Sequence, residues 1–144
     1  MPSARCSCCW PCRQWCGGTA VSCRPAHSAA PSWPSWGWSR RRDPHDHAEE
    51  SAVADLGPGW RAPPGTTVYS SLEPCSARSS RPRTCTELIL AAGVDRVVFA
   101  WREPGVFVDG EGAELLRAGG VDVVELPELA DAAREPNAHL LGAR

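Results

Sequence analysis

Two short stretches, "HAEE" (47–50) and "EPCSARSSRPRTC" (73–85), hold side chains whose types and spacing can do chemistry together. One imidazole, His47, and two thiols, Cys75 and Cys85, make the three-ligand set of a catalytic zinc site, which leaves a fourth tetrahedral position for water. Two thiolates cancel the formal charge of the zinc ion. Such a metal lowers the pKa of its water less than an all-histidine site does, where it reaches about 7. A carboxylate base is then needed, and Glu49, two residues after His47, is placed to take the water's proton.

The elements around these residues must bring them to one place. In mid-helix, residues two apart diverge by about 200°, so His47 and Glu49 can act together only from a first turn, with Ala48 leaving room between them. Asp43-Pro44-His45-Asp46 reads as a helix start, running to Leu56 with Ala48, Ala52 and Leu56 on one face and Gly57-Pro58-Gly59 as the stop. Thr66 to Leu72 has the composition of a strand, and Cys75 follows it closely. Thr84-Cys85-Thr86-Glu87 fits a capping box, so Cys85 opens a helix that Gly93 ends, at the terminus where the helix dipole favours a thiolate. Arg96 to Trp101 is a short apolar run expected of a strand covered on both faces. Glu111 to Ala118 is predicted helical with Leu115 and Leu116 inward, Val121 to Leu126 a strand, and Glu128 to Arg134 a last short helix. Alternation of strand and helix predicts parallel pairing in an α/β layered domain, with the ligands at the sheet edge where such folds bind.

An H-x-E followed by P-C and a second Cys is the pattern of zinc deaminases, in which water displaces an exocyclic amine. Residues 37–144 resemble the deaminase of riboflavin biosynthesis (diaminohydroxyphosphoribosylaminopyrimidine deaminase), within the cytidine and deoxycytidylate deaminase superfamily. "DPHDHAEE", "SLEPCS", "TCTELILAAGVDRVVFAWREP" and "GAELLRAGGVDVVEL" carry the likeness. The resemblance implies one zinc ion on His47, Cys75 and Cys85, with Glu49 as the proton shuttle. It also implies hydrolytic deamination of an aminopyrimidine nucleotide, a three-layer α/β/α fold with a mixed, largely parallel sheet, and a homodimer. Nine residues separate the two cysteines, one more than that type commonly shows, and Ala77 stands where it usually has His. No reductase domain follows before Arg144, so a stand-alone deaminase is expected. Deoxycytidylate or cytidine deamination, and a zinc-binding remnant without turnover, are the alternatives.

Singly, each site residue has a plainer reading. His47 would be a surface residue at a helix start, Glu49 the capping-box partner of an Asp46 N-cap, and the cysteines inert core thiols. Their joint occurrence favours zinc. Arg78, Arg81 and Arg83, in the loop between the cysteines, are candidates for clamping a substrate phosphate, and His45 for facing the substrate.

The composition divides sharply. Residues 1–42 carry six Arg and no acid, a net +6, whereas residues 43–144 carry nine Arg and seventeen acids, a net −8, and Lys is absent throughout. An acidic domain disfavours nucleic acid as a partner. No apolar run of signal-peptide or membrane-spanning kind is present, so a cytoplasmic protein is expected. The first 42 residues hold six of the eight Cys and five of the seven Trp, but no Leu, Ile, Phe or Tyr. Residues 1–36 are therefore expected to be a non-homologous segment, either disordered or the product of a wrong reading frame or misplaced start, and 37–144 the deaminase domain. The helix and first two strands with which the family begins are expected to be missing or garbled. Cys9-x2-Cys12 has the spacing of a zinc-knuckle pair but lacks a second pair to complete it.

Overall fold

The computed structural model describes residues 20–24, 35–102 and 111–138. The expectations for the cysteine cluster of residues 6–16 lie outside these. Five strands form one sheet: β1 (Ala20–Arg24), β2 (Ser35–Trp38), β3 (Thr67–Leu72), β4 (Arg96–Trp101) and β5 (Asp122–Glu125), in the order β2-β1-β3-β4-β5. β3, β4 and β5 run parallel, and β1 is antiparallel to both of its neighbours. Helices α1 (Ala48–Asp55), α2 (Cys85–Ala92) and α3 (Gly112–Ala118) lie on one face, and α4 (Ala130–Arg134) packs on the other.

Each layer follows from side-chain patterning. On the first face Ala48 and Ala52 of α1, Ile89 and Ala92 of α2, and Ala113 and Leu116 of α3 close over Val68, Val97 and Phe99. At the far end of β4, Ala100 and Trp101 meet Ala133 of α4. β4 is buried from Val97 to Trp101, as its unbroken apolar run predicts for a central parallel strand. The Thr84–Glu87 capping box closes at both bonds, and Gly93 ends α2 at φ +74°, a left-handed conformation that favours glycine.

Three expectations are corrected. The first strands are not missing, since Ala20–Arg24 and Ser35–Trp38 both pair into the sheet, the first wholly and the second in part ahead of residue 37. The reason is the contact that β2 makes. A Cβ on Gly37 would stand 1.9 Å from the Ala48 carbonyl oxygen and 2.6 Å from the Ala52 nitrogen. The Ser35 hydroxyl donates to the Ala52 carbonyl at 2.8 Å. Backbone meets backbone there, so the lack of large aliphatic side chains at positions 35 and 37 is what the packing requires. Secondly, α1 starts at Ala48 with His47 as its N-cap, because Asp43-Pro44 makes a turn instead: the Asp43 carboxylate accepts the His45 N–H at 2.8 Å, and its carbonyl accepts the Asp46 N–H at 3.0 Å. Thirdly, Leu115 is 44% exposed while its neighbour Leu116 is fully buried, since α3 presents only one face to the sheet.

Candidate metal centre

The three predicted ligands meet at one edge of the sheet. Cys75 lies just past the C-terminal end of β3, Cys85 is the first residue of α2, and His47 caps α1. His47 Nδ1 is 3.6 Å from the Cys75 sulfur and 3.4 Å from the Cys85 sulfur, and the three donor atoms all lie within 4.8 Å of one another. With zinc–sulfur bonds of about 2.3 Å and zinc–nitrogen bonds of about 2.0–2.1 Å, tetrahedral coordination separates nitrogen from sulfur by about 3.5 Å. The donor set fits zinc.

Local bonds account for each placement. The Cys85 N–H, the first of α2, donates to the Cys75 sulfur at 3.4 Å, so the helix terminus itself faces a thiolate. Thr86, next in the helix, anchors the backbone of the ligand loop: its hydroxyl donates to the carbonyls of Cys75 at 3.0 Å and Pro74 at 3.2 Å. Around His47, Glu50 reaches back to the His47 N–H at 3.0 Å. Glu50 is therefore the capping partner at α1, the part expected of Glu49 if Asp46 were the N-cap. Glu49 is left for the site. It is 5% exposed, accepting from the Ser70 hydroxyl at 3.0 Å through one oxygen and from the Cys85 thiol at 3.3 Å through the other.

The electrostatics match a cluster built to give up protons to a metal. The hydrogen bond from Cys85 holds the Cys75 thiol well below its ordinary value, to about 4, and His47 adds to the effect. Cys85 is pushed upward, first by its bond to the Cys75 sulfur and then by burial. A divalent cation would displace the thiol proton that Cys85 shares with Glu49. His47 is raised, first by its hydrogen bond with Cys75. Burial raises Glu49, making it a stronger base than an exposed carboxylate.

The residues expected to contact substrate are placed differently from one another. His45 and Arg83 are exposed, each two residues before a ligand. The Arg78 side chain is largely enclosed and committed to Glu50 at 2.7 Å and the His45 carbonyl at 2.6 Å. Arg81 pairs with Asp46 at 2.8 Å and Asp43 at 2.9 Å. A cleft of about 610 Å³ on the flank of α1 is bordered by Arg81, Asp46 and Glu50, but by none of the three ligands.

Sequence reasoning missed Ser70 and Glu73. The alternation of β3 turns Val68 and Ser70 to the same face, so a hydroxyl at the core side of a strand's last turn was the available signal for Ser70. Glu73 is buried and accepts the Ala113 N–H at 2.8 Å. A Cβ on Gly112 would lie 2.0 Å from the Pro74 carbonyl oxygen, and the Ser76 hydroxyl accepts the Glu111 N–H at 3.3 Å. The start of α3 thus presses on the Cys75 loop, a contact between distant segments that no local motif announces.

A fold of this topology, carrying His, two Cys and a buried Glu at its sheet edge, defines the class. The family model of the cytidine and deoxycytidylate deaminase zinc-binding region matches residues 19–101, and the chain belongs to that family. The match begins at β1, earlier than the resemblance from residue 37 predicted. The chain is 40% identical over 93 residues to the diaminohydroxyphosphoribosylamino-pyrimidine deaminase of Schizosaccharomyces pombe, covering 63% of this chain and 23% of that protein. It is 42% identical over 77 residues to the riboflavin biosynthesis protein RibD of Escherichia coli, covering 54% of this chain and 20% of that one. The chain spans less than a quarter of the length of these two relatives. Among solved structures, RibD of Acinetobacter baumannii superposes with a TM-score of 0.67 at 27% identity, covering 87% of this chain and 32% of that one. These likenesses agree with the three-layer α/β/α arrangement and with zinc as the metal. No helix among the described residues is long and apolar enough to cross a membrane.

Proposed function

We propose that this chain catalyses zinc-dependent hydrolytic deamination of a phosphoribosylamino-pyrimidine, exchanging a ring amine for oxygen and releasing ammonia. One observation carries the reading: a buried carboxylate, Glu49, shares a hydrogen bond with one member of a three-donor metal set. The substrate class is supported by the printed names of the fission-yeast and Escherichia coli relatives.

His47, Cys75 and Cys85 are the residues that would hold the metal. When bound, zinc supplies Lewis-acid activation of water. Glu49 does the proton work: it accepts a proton from the attacking water and returns protons to the ring nitrogen and the departing amine. Ser70 fixes one carboxylate oxygen, which leaves the other turned toward the three-donor set and free to take a proton. Burial strengthens Glu49 as a base and keeps the exchanged protons from bulk water. His45 and Arg83, both exposed, are assigned to the substrate's polar groups. The reading carries a homodimer as the working assembly and the cytoplasm as its compartment. It also places the start of the deaminase domain at β1.

Ammonia release from the phosphoribosylamino-pyrimidine and from deoxycytidylate, with zinc content measured on the same samples, tests this. Glu49→Gln is expected to lower kcat on the former by about 10²- to 10⁴-fold while keeping its zinc. Undiminished turnover in that variant would overturn the mechanism. Zinc binding without ammonia from either substrate would overturn the enzyme reading.

A further inference from the structure

We propose that Arg78 is a positioning residue that locks His47 to the cysteine loop, and not a clamp for the substrate's phosphate. The inference rests on the assignment of His47, Cys75 and Cys85 as metal ligands.

His47 and Cys75 come from segments 28 residues apart, and the loop from Cys75 to Cys85 contains no helix or strand. Something must hold that loop against the start of α1. Arg78 lies three residues after Cys75, and its side chain is only 4% exposed. Its guanidinium donates to the Glu50 carboxylate at 2.7 Å and to the His45 carbonyl at 2.6 Å. Its remaining bonds go to the Ser80 hydroxyl, at 3.3 Å from Nε and 3.1 Å from Nη2, which fold the loop back on itself. The same Glu50 oxygen that receives Arg78 also accepts the His47 N–H at 3.0 Å. A continuous path of charge-assisted bonds therefore runs from the Cys75 loop through Arg78 and Glu50 to the backbone of His47.

A phosphate clamp needs a guanidinium with free, accessible donors. Arg78 has four of its bonds committed and is nearly sealed from water, and it does not border the cleft beside α1 that Arg81 lines. Diverting it to a ligand would also leave the part-buried Glu50 without its closest cation. Partners of this kind that orient metal ligands change affinity by about 10- to 100-fold when removed.

The test measures zinc release from the zinc-loaded full chain to a chromophoric chelator, 4-(2-pyridylazo)resorcinol. Arg78→Ala is expected to release zinc at least about 10-fold faster than the wild type. Arg78→Lys, which keeps the charge but not the fork, falls between the two. Kinetics on the phosphorylated pyrimidine and on its dephosphorylated counterpart give the second readout. A positioning role lowers kcat on both by one common factor. A release rate equal to the wild type in folded Arg78→Ala would overturn the proposal, as would a KM raised for the phosphorylated substrate alone. If Arg78→Ala does not fold, Glu50→Gln decides: it keeps the acceptor for the His47 N–H, so faster release supports the path and wild-type release refutes it. Zinc release needs no turnover. A chain that holds zinc through Arg78 but deaminates nothing would therefore sink the functional reading and leave this one standing.

Discussion

The helix starts that present Cys85 and His47 reach the same end by different means. α2 is capped from within: Thr84 and Glu87 exchange two hydrogen bonds inside four consecutive residues, and the first free N–H falls on the Cys75 sulfur. α1 is seated from without. Its N-cap is the ligand itself, its capping carboxylate is braced by Arg78 from another loop, and its flank rests on Gly37 of β2. A local device tolerates change elsewhere in the molecule, whereas a seat made of distant segments transmits it. The histidine side of the centre should therefore be the more easily broken.

The largest effect is expected at the seat of α1. In Gly37→Ala the new methyl would meet the Ala48 carbonyl oxygen at 1.9 Å, and both contacting atoms are backbone that cannot rotate away. Overpacking of this kind costs about 1–3 kcal/mol, and here it must push back the helix that carries His47 and Glu49. Chemical denaturation and zinc content should both register the change. A variant with wild-type values would mean that β2 does not support α1 as described. Thr84→Ala is the matching cut at α2. Loss of the hydroxyl that accepts the Glu87 N–H at 3.2 Å should cost about 1 kcal/mol, the ordinary value of an N-cap. Because the Cys85 N–H and Thr86 bonds remain, its zinc content should stay at the wild-type level. Zinc loss in Thr84→Ala but not in Gly37→Ala would reverse the comparison.

The same contrast explains what could be read in the sequence. α2, β4 and the three ligands obey rules that operate within a few residues or through a motif: the Thr84 box, the left-handed Gly93, the unbroken run from Val97 to Trp101, the H-x-E and P-C pairs. Each of these was legible. The start of α1 is misplaced by sequence because Asp43-Pro44 is equally good turn chemistry, and only the long-range contacts of His47 with Cys75 and Cys85 and of Glu50 with Arg78 decide between the two. β1 and the start of β2 escape a search for aliphatic periodicity, since a strand whose inner face is Ser35 and Gly37 has none; only the end of β2, at Gly37 and Trp38, is legible by resemblance. Glu73 and Ser70 act across the fold on Ala113 and Glu49, 40 and 21 residues away, and carry no local signature.

The smallest effect sharpens the comparison by repeating the chemistry of Arg78 and Glu50 where neither helix start depends on it. Arg102 donates to Glu114 of α3 at 2.9 Å, but the two side chains are 36% and 53% exposed. The hydrogen bond from Arg102 lowers the Glu114 pKa below its ordinary 4.5. Folding therefore favours the ionised form. The pair stabilises the fold above pH 4.5 and loses that contribution as pH falls through the lowered value, where folded and unfolded chains are both protonated. Solvent and salt screen an exposed pair, and Arg102 also keeps Glu125 at 3.8 Å and Glu73 at 3.9 Å when Glu114 is gone. Glu114→Gln should accordingly cost no more than about 0.5 kcal/mol at pH 7, less in high salt, and nothing at strongly acid pH. Denaturant midpoints of the two proteins across pH and salt measure it. At Arg78 the second carboxylate is absent, since Glu50 is the one acid within 4.0 Å among the described residues. A Glu114→Gln penalty as large as that of Gly37→Ala would show that exposure and spare partners do not separate these ion pairs, and the weight placed on the sealed Arg78–Glu50 contact would lose its basis.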